Sequence, residues 1–213
     1  MQVPVTIVQI FLTTHCNMRC PDCSCGMQVI SKKDKYFIDT EYLLNASKLF
    51  QGVDTISIMG GEPSMHPMFS DWSKRFKSLF GCKTLTVESN GTMFKKLPEA
   101  FGHYDKIFAT HYHPGMFEGC PENQLDIDYL KSYYKHRPDL VWVNEITHVP
   151  RETRGTKPCF RATSGGLAYE GGKLYPCAVG SGVRTNNFII PTENWREEIK
   201  TIYPKCSDCY FAV

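Results

Sequence analysis

With 213 residues and 42% hydrophobic content, the chain can bury one sizeable core and needs no disordered segment to explain its composition. Its 24 basic and 22 acidic residues leave a formal charge of +2, so charge alone indicates neither a nucleic-acid partner nor an acidic one. The opening MQVPVTIVQIFL has no basic n-region, and its apolar run is too short to span a bilayer, which implies a cytoplasmic protein without membrane attachment.

In chain order, Val5 to Leu12 is almost wholly apolar and rich in β-branched residues, the pattern of a strand covered on both faces. The stretch THCNMRCPDCSC follows, with Cys16, Cys20 and Cys23 in a C-x3-C-x2-C spacing. Three soft thiolates on one tight loop suit iron-sulfur or zinc ligation and commit no fourth ligand nearby. In a chain with no secretory signal, ten cysteines with C-x2-C spacings indicate metal binding in a reducing compartment. Asp39 then offers an N-cap for a helix carrying Leu43, Ala46 and Phe50, closed by Gly52. Asp54 to Met59 reads as a strand running into Gly60-Gly61-Glu62-Pro63, and Phe69, Trp72, Phe76 and Leu79 recur at helical spacing before Gly81.

The strand-then-helix pattern repeats. Thr84 to Val87 is a strand ending in Glu88-Ser89-Asn90-Gly91-Thr92, followed by a short helix near Leu97 to Phe101. A strand from Lys106 to Ala109 ends in Thr110-His111-Tyr112-His113, where the two histidines alternate with a tyrosine and are expected to point into a pocket. Asp126 is expected to cap a helix with Ile127, Leu130 and Tyr134, and Leu140 to Val143 makes a fifth strand leading to Asn144, Glu145 and His148. Strands alternating with helices imply a parallel sheet. Five such units fall short of a closed eight-unit barrel, so the expected fold is α/β, a partial open parallel βα barrel of five to six strands with its site at the C-terminal strand ends.

Beyond Pro150 the texture changes. Gly165 to Pro176 reads as a β-hairpin turning at Gly171-Gly172 and flanked by Cys159 and Cys177. Thr192 precedes a short helix with Trp195, Ile199 and Ile202, and the chain closes on Cys206-x2-Cys209. Two domains are therefore expected, 1–150 as the partial barrel and 151–213 as a small cysteine-pinned appendage of hairpin plus helix. Two cysteine pairs framing a hairpin also describe a zinc ribbon.

A C-x3-C-x2-C loop after the first strand and GGEP after the second, in that order, resemble the radical S-adenosylmethionine (SAM) superfamily. The resemblance implies that Cys16, Cys20 and Cys23 hold a 4Fe-4S cluster whose remaining iron binds SAM, and that one electron cleaves the sulfonium to a 5'-deoxyadenosyl radical. It also implies SAM contacts from Gly60, Gly61 and Glu62, with Glu62 accepting from the SAM ammonium, from Ser89 and Asn90, and from Thr110 and His111. An external donor of flavodoxin or ferredoxin type would supply the electron. Asp22 stands where the family usually has an aromatic residue. The spacing Cys159-x12-Gly172-x4-Cys177 with Cys206-x2-Cys209 resembles the twitch domain, a short relative of the SPASM domain, in the pattern of the 2-deoxy-scyllo-inosamine dehydrogenases. There, four cysteines hold an auxiliary 4Fe-4S cluster that takes a second electron.

The expected reaction is oxidation of a small polar metabolite, with His113, Glu145 or His148 as base, Arg151 and Arg154 as an anion clamp, and Cys120 as a hydrogen-atom donor. Rearrangement of a nucleotide or modified nucleic-acid base is the alternative enzyme reading. Peptide modification fits less well, since fifteen residues precede Cys16. A metal-binding module without catalysis is the alternative of another class.

Overall fold

The computed structural model describes residues 7–21, 23, 25–27, 30–118, 120, 122–145, 166–176 and 188–201. Seven strands form one sheet: β1 (Ile7–Phe11), β2 (Thr55–Met59), β3 (Thr84–Ser89), β4 (Lys106–His111), β5 (Val141–Glu145), β6 (Gly166–Glu170) and β7 (Lys173–Tyr175). The order across the sheet is β5-β4-β3-β2-β1-β6-β7, and every neighbouring pair is parallel except the β6–β7 hairpin. β5 and β7 are its two edges, so the sheet does not close and the α/β fold is a partial, open βα barrel. The hairpin appears where the sequence places it. Its position does not follow from the sequence: β6 runs beside β1, with Ile7 opposite Gly166 and Ile10 opposite Tyr169.

Side-chain alternation divides the sheet into two faces of different character. Val8, Ile10, Ile56, Ile58, Leu85, Val87, Ile107, Ala109 and Val141 point to one side and are buried in the main core. There they meet α1 (Thr40–Leu49), α2 (Phe69–Ser73), α3 (Phe76–Phe80), α4 (Pro98–Phe101) and α5 (Gln124–Tyr133), through Leu43, Phe69, Phe76, Phe101, Ile127 and Leu130. Each of the larger side chains, Ala109 apart, contributes on the order of 1.5–3 kcal/mol by leaving water. Gln9, Ser57, Thr86 and Glu88 alternate onto the other face, which is the inside of the barrel and is polar. Leu167, Tyr169, Leu174 and Trp195, the last on α6 (Trp195–Glu198), join the same main core, so the described C-terminal segment is packed on the barrel.

Local signals explain most of the boundaries. Asp39 caps α1 as expected, its carboxylate accepting the Tyr42 N–H at 2.7 Å. The single helix expected over Phe69 to Leu79 is broken into α2 and α3. At the break, Ser73 Oγ donates back to the Phe69 carbonyl at 2.7 Å and pairs with Tyr104 Oη at 3.0 Å, and hydroxyl back-bonding of this kind bends helices. α5 starts at Gln124, and Asp126 sits inside its first turn without capping it. Among the described residues no helix is long and apolar enough to cross a membrane.

Candidate active site

The strand ends that carry the motifs converge on one cavity of about 480 Å³. Cys16, Cys20, Cys23 and Cys25 line one side of it, Met59, Gly60 and Gly61 another, and Glu88, Ser89, Asn90, Thr110, Tyr112 and Asn144 complete the wall. That size is in the range of cofactor and small-molecule sites.

The cysteine loop is held to the end of β2 by backbone alone. Gly61 N–H donates to the Thr13 carbonyl at 2.8 Å and Glu62 N–H to the His15 carbonyl at 2.8 Å, continuing the β1–β2 ladder past the strands. A Cβ on Gly61 would lie 2.1 Å from the His15 carbonyl oxygen, and one on Gly60, whose φ is +146°, would lie 2.3 Å from that of Thr13. The glycines are therefore required by the cysteine loop itself as well as by the open side of the cavity. A second tie runs to β3, where Asn90 Nδ2 donates to Asn17 Oδ1 at 2.9 Å and Asn17 Nδ2 to Thr92 Oγ1 at 2.8 Å.

Hydrogen bonds reach the thiols directly. Met18 N–H donates to Cys16 Sγ at 3.4 Å and Asn90 Nδ2 to the same sulfur at 3.8 Å, while Cys20 Sγ pairs with Tyr112 Oη at 3.5 Å. Burial pushes the Cys16 thiol up to about 12 and raises that of Cys20. The Cys25 side chain, hydrogen-bonded to Cys23, brings Cys23 down to about 6 against its burial. Three thiols sharing a half-buried pocket become thiolates together only with a cation among them, so the donor set fits a metal cluster.

Glu62 is held between the ends of β2 and β3. Its side chain is 0% exposed and does not line the cavity. The carboxylate accepts from Ser64 N–H at 3.1 Å, the Ser64 hydroxyl, Ser89 Oγ at 3.0 Å and Asn90 N–H at 2.7 Å. Burial raises its pKa and those bonds oppose the rise. In this structure it positions the ends of β2 and β3 relative to each other.

The β4 end divides its residues between the two faces of the sheet. Thr110 and Tyr112 face the cavity, and alternation sends His111 and His113 to the opposite side of the sheet with Glu145, away from the lining. Only one of the two alternating sets can face the barrel, and the bulky tyrosine takes that place. Cys120 Sγ donates to the His113 carbonyl at 3.6 Å and is likewise outside the lining. His148, Arg151, Arg154, Cys159, Cys177, Cys206, Cys209 and Asp22 lie outside the described residues.

Several residues that build the site carry no motif. Asn123, 0% exposed, donates through Nδ2 to the carbonyls of Asn90 at 2.6 Å and Thr110 at 2.7 Å and accepts from Tyr112 N–H at 2.9 Å. Glu88 lies on the cavity wall with Gln9 Nε2 donating to it at 3.0 Å and Ser57 Oγ at 3.5 Å. Its place was legible from the strand pattern, two residues beyond Thr86 on the barrel face, whereas the contacts of Asn123 span long sequence separations.

Several known proteins are similar to this chain in sequence or in fold. Bovine molybdenum cofactor biosynthesis protein 1 is 34% identical over 94 residues, covering 42% of this chain and 14% of that protein. The mitochondrial GTP 3',8-cyclase of Arabidopsis thaliana is 34% identical over 98 residues, covering 44% of this chain and 25% of the relative. The chain thus spans a quarter or less of these two relatives. In fold, BtrN in complex with AdoMet and 2-DOIA superposes with a TM-score of 0.68 at 14% identity, over 99% of this chain and 93% of that one. SuiB of Streptococcus suis, bound to S-adenosylmethionine, gives 0.54 at 12% identity, over 97% and 71%. The sequence profile of the Radical SAM superfamily matches residues 10–142, the part that holds the cysteine loop, the GGEP turn, strands β2 to β4 and parts of β1 and β5, and the chain belongs to the radical SAM superfamily.

Proposed function

We propose that this chain oxidises a C–H bond of a small polar metabolite, such as a sugar, cyclitol, amino acid or nucleotide, by two electrons. The observation that carries the reading is Glu88, a carboxylate on the wall of the cavity that the cysteine loop lines. Cys16, Cys20 and Cys23 would hold the 4Fe-4S cluster, and SAM would lie against Gly60, Gly61, Ser89, Asn90 and Thr110. Cys159, Cys177, Cys206 and Cys209, in residues 151–213, would hold a second 4Fe-4S cluster. When bound, these groups supply a 5'-deoxyadenosyl radical, using one electron from a flavodoxin- or ferredoxin-type donor, and an acceptor for one electron from the substrate.

The residues of the chain do the rest. Gln9 and Ser57 orient Glu88 from the barrel interior, so that its carboxylate accepts a hydrogen bond from a substrate hydroxyl or amino group and then the proton released as a carbonyl or imine forms. The substrate loses a hydrogen atom, a proton and an electron in all. Tyr112 and Asn144 line the same cavity as this carboxylate and would help exclude water from the reacting carbon. BtrN, whose fold resembles this one over 99% of the chain, is described in complex with AdoMet and 2-DOIA, which supports a site that takes a second ligand beside SAM.

A second reading has its own support, the 34% identity to a GTP 3',8-cyclase over 98 residues. Under it the substrate is a nucleotide, the product a rearranged isomer, and no electron acceptor is needed. The test is anaerobic reconstitution with iron and sulfide, then incubation with dithionite, SAM and candidate substrates. Oxidation gives one 5'-deoxyadenosine per product with an acceptor reduced in step, and rearrangement gives product without one. Absence of 5'-deoxyadenosine from the reconstituted protein would overturn both.

A further inference from the structure

His111, His113 and Glu145 form a cluster outside the cavity described above. Their ligand atoms, one from each residue, lie within 4.8 Å of one another. Glu145 Oε2 is 2.9 Å from His111 Nδ1 and 3.2 Å from His113 Nε2, so two imidazole nitrogens converge on the same carboxylate oxygen. The backbone enforces this arrangement. His111 and Glu145 are directly paired in the β4–β5 register, and His113 is two residues further along, on the same side.

We propose that these three residues bind a first-row divalent transition metal such as Zn²⁺. Two imidazoles and a carboxylate are the donor set such cations prefer, and they exclude the oxygen-only coordination that favours Ca²⁺ or Mg²⁺. Metal–ligand bonds of about 2.0–2.2 Å place neighbouring donors roughly 3.0–3.4 Å apart; the His113–Glu145 separation of 3.2 Å lies in that range and the His111–Glu145 separation of 2.9 Å just below it, so the donors need only open slightly to admit an ion. His111 is nearly buried and fixed in place, whereas the side chains of His113 and Glu145 are 55% and 58% exposed, which leaves an entry path and room for water ligands. The site is separate from the cluster cavity because it lies on the other face of the sheet. Its link to that cavity is Tyr112, which stands between the two histidines and meets Cys20 at 3.5 Å. A metal here fixes the backbone on both sides of that tyrosine and fastens edge strand β5 to β4.

The probe is Zn²⁺ itself. Reconstituted protein, whose cluster cysteines are occupied, is stripped with EDTA, equilibrated with Zn²⁺ and analysed for metal content, alongside His113→Ala and Glu145→Gln. Both positions are exposed, so both variants are expected to fold, with circular dichroism as the check. The wild type should take up one equivalent more than either variant, and its affinity should exceed theirs by more than about 100-fold. Long-range ¹H–¹⁵N spectra of the histidine side chains should show two rings shifting together with that equivalent. Equal uptake by wild type and variants, or histidine signals that Zn²⁺ leaves unmoved, would overturn the proposal and leave a hydrogen-bonded His–Glu group, with no bearing on the radical SAM assignment.

Discussion

Asn123 joins the ends of β3 and β4 through one side chain that satisfies two carbonyls and one N–H, all beside the cavity. Asn123→Ala leaves those groups without partners, and the expected loss is about 3 kcal/mol of unfolding free energy, read by chemical denaturation. Asn123→Asp should be no milder, because its second oxygen would face two carbonyl oxygens. A loss below about 1 kcal/mol for either variant would contradict this role. His66 permits a prediction in pH. Its Nε2 donates to the Ile38 carbonyl at 2.9 Å and its Nδ1 accepts the Met68 N–H at 3.1 Å, which fixes a neutral tautomer. Burial lowers its pKa from the usual 6.5, so the unfolded chain takes up the proton first. The stability contributed by His66 is therefore complete above 6.5 and declines as pH falls through the lowered value in the fold. Unfolding free energy, from chemical denaturation followed by far-ultraviolet dichroism, should fall more steeply from neutral to mildly acid pH for wild type than for His66→Gln. Parallel curves would remove this residue from the pH response. Cys16, Cys20 and Cys23 were legible because their spacing is local, whereas Asn123 and Tyr112 act through partners that sequence proximity does not reveal.

At the scale of elements, the GGEP turn and the cysteine loop behave as one unit. Backbone bonds from Gly61 and Glu62 to Thr13 and His15 set their separation, and the His15 ring stacks on Phe37 at 4.2 Å, with Phe37 edge-on to His66 just past the turn. Gly61→Ala puts a methyl group 2.1 Å from a backbone oxygen that cannot rotate away. The loop must then move off β2, and the expected result is sharply reduced iron incorporation together with a stability loss of about 1–3 kcal/mol. Iron and sulfide analysis after reconstitution measures the first effect, and full incorporation by the variant would refute the coupling. The sequence announces these glycines as a close approach, and the structure supplies the neighbour: the loop's own backbone. Elements with local caps, such as α1 after Asp39, were equally legible. The start of α5 was not, because the side chain of Asn123, at the cap position, is committed to the β3 and β4 ends instead of the helix.

For the whole molecule, the issue is whether residues 151–213 form a separate folding unit, as the change of texture at Pro150 implies. The described part of that segment shares a sheet and a core with the barrel. β6 pairs with β1, Gly172 N–H donates to Tyr42 Oη at 3.1 Å, and Trp195 is 1% exposed against Phe50, its Nε1 donating to the Leu49 carbonyl at 2.8 Å. Without the hairpin, β1 would be an unpaired edge, next to the loop that carries the cysteines. On that shared packing, the two parts should unfold together. Trp195→Ala removes a buried indole and the partner of a main-chain carbonyl, at an expected cost of about 3–5 kcal/mol. Because the core is shared, that loss should lower the midpoint of the entire chain in one cooperative transition, seen alike by far-ultraviolet dichroism and by the fluorescence of the remaining tryptophans. If the barrel kept its wild-type midpoint while a second, earlier transition appeared, the C-terminal segment would be an independent domain and β1–β6 pairing would contribute little to the site.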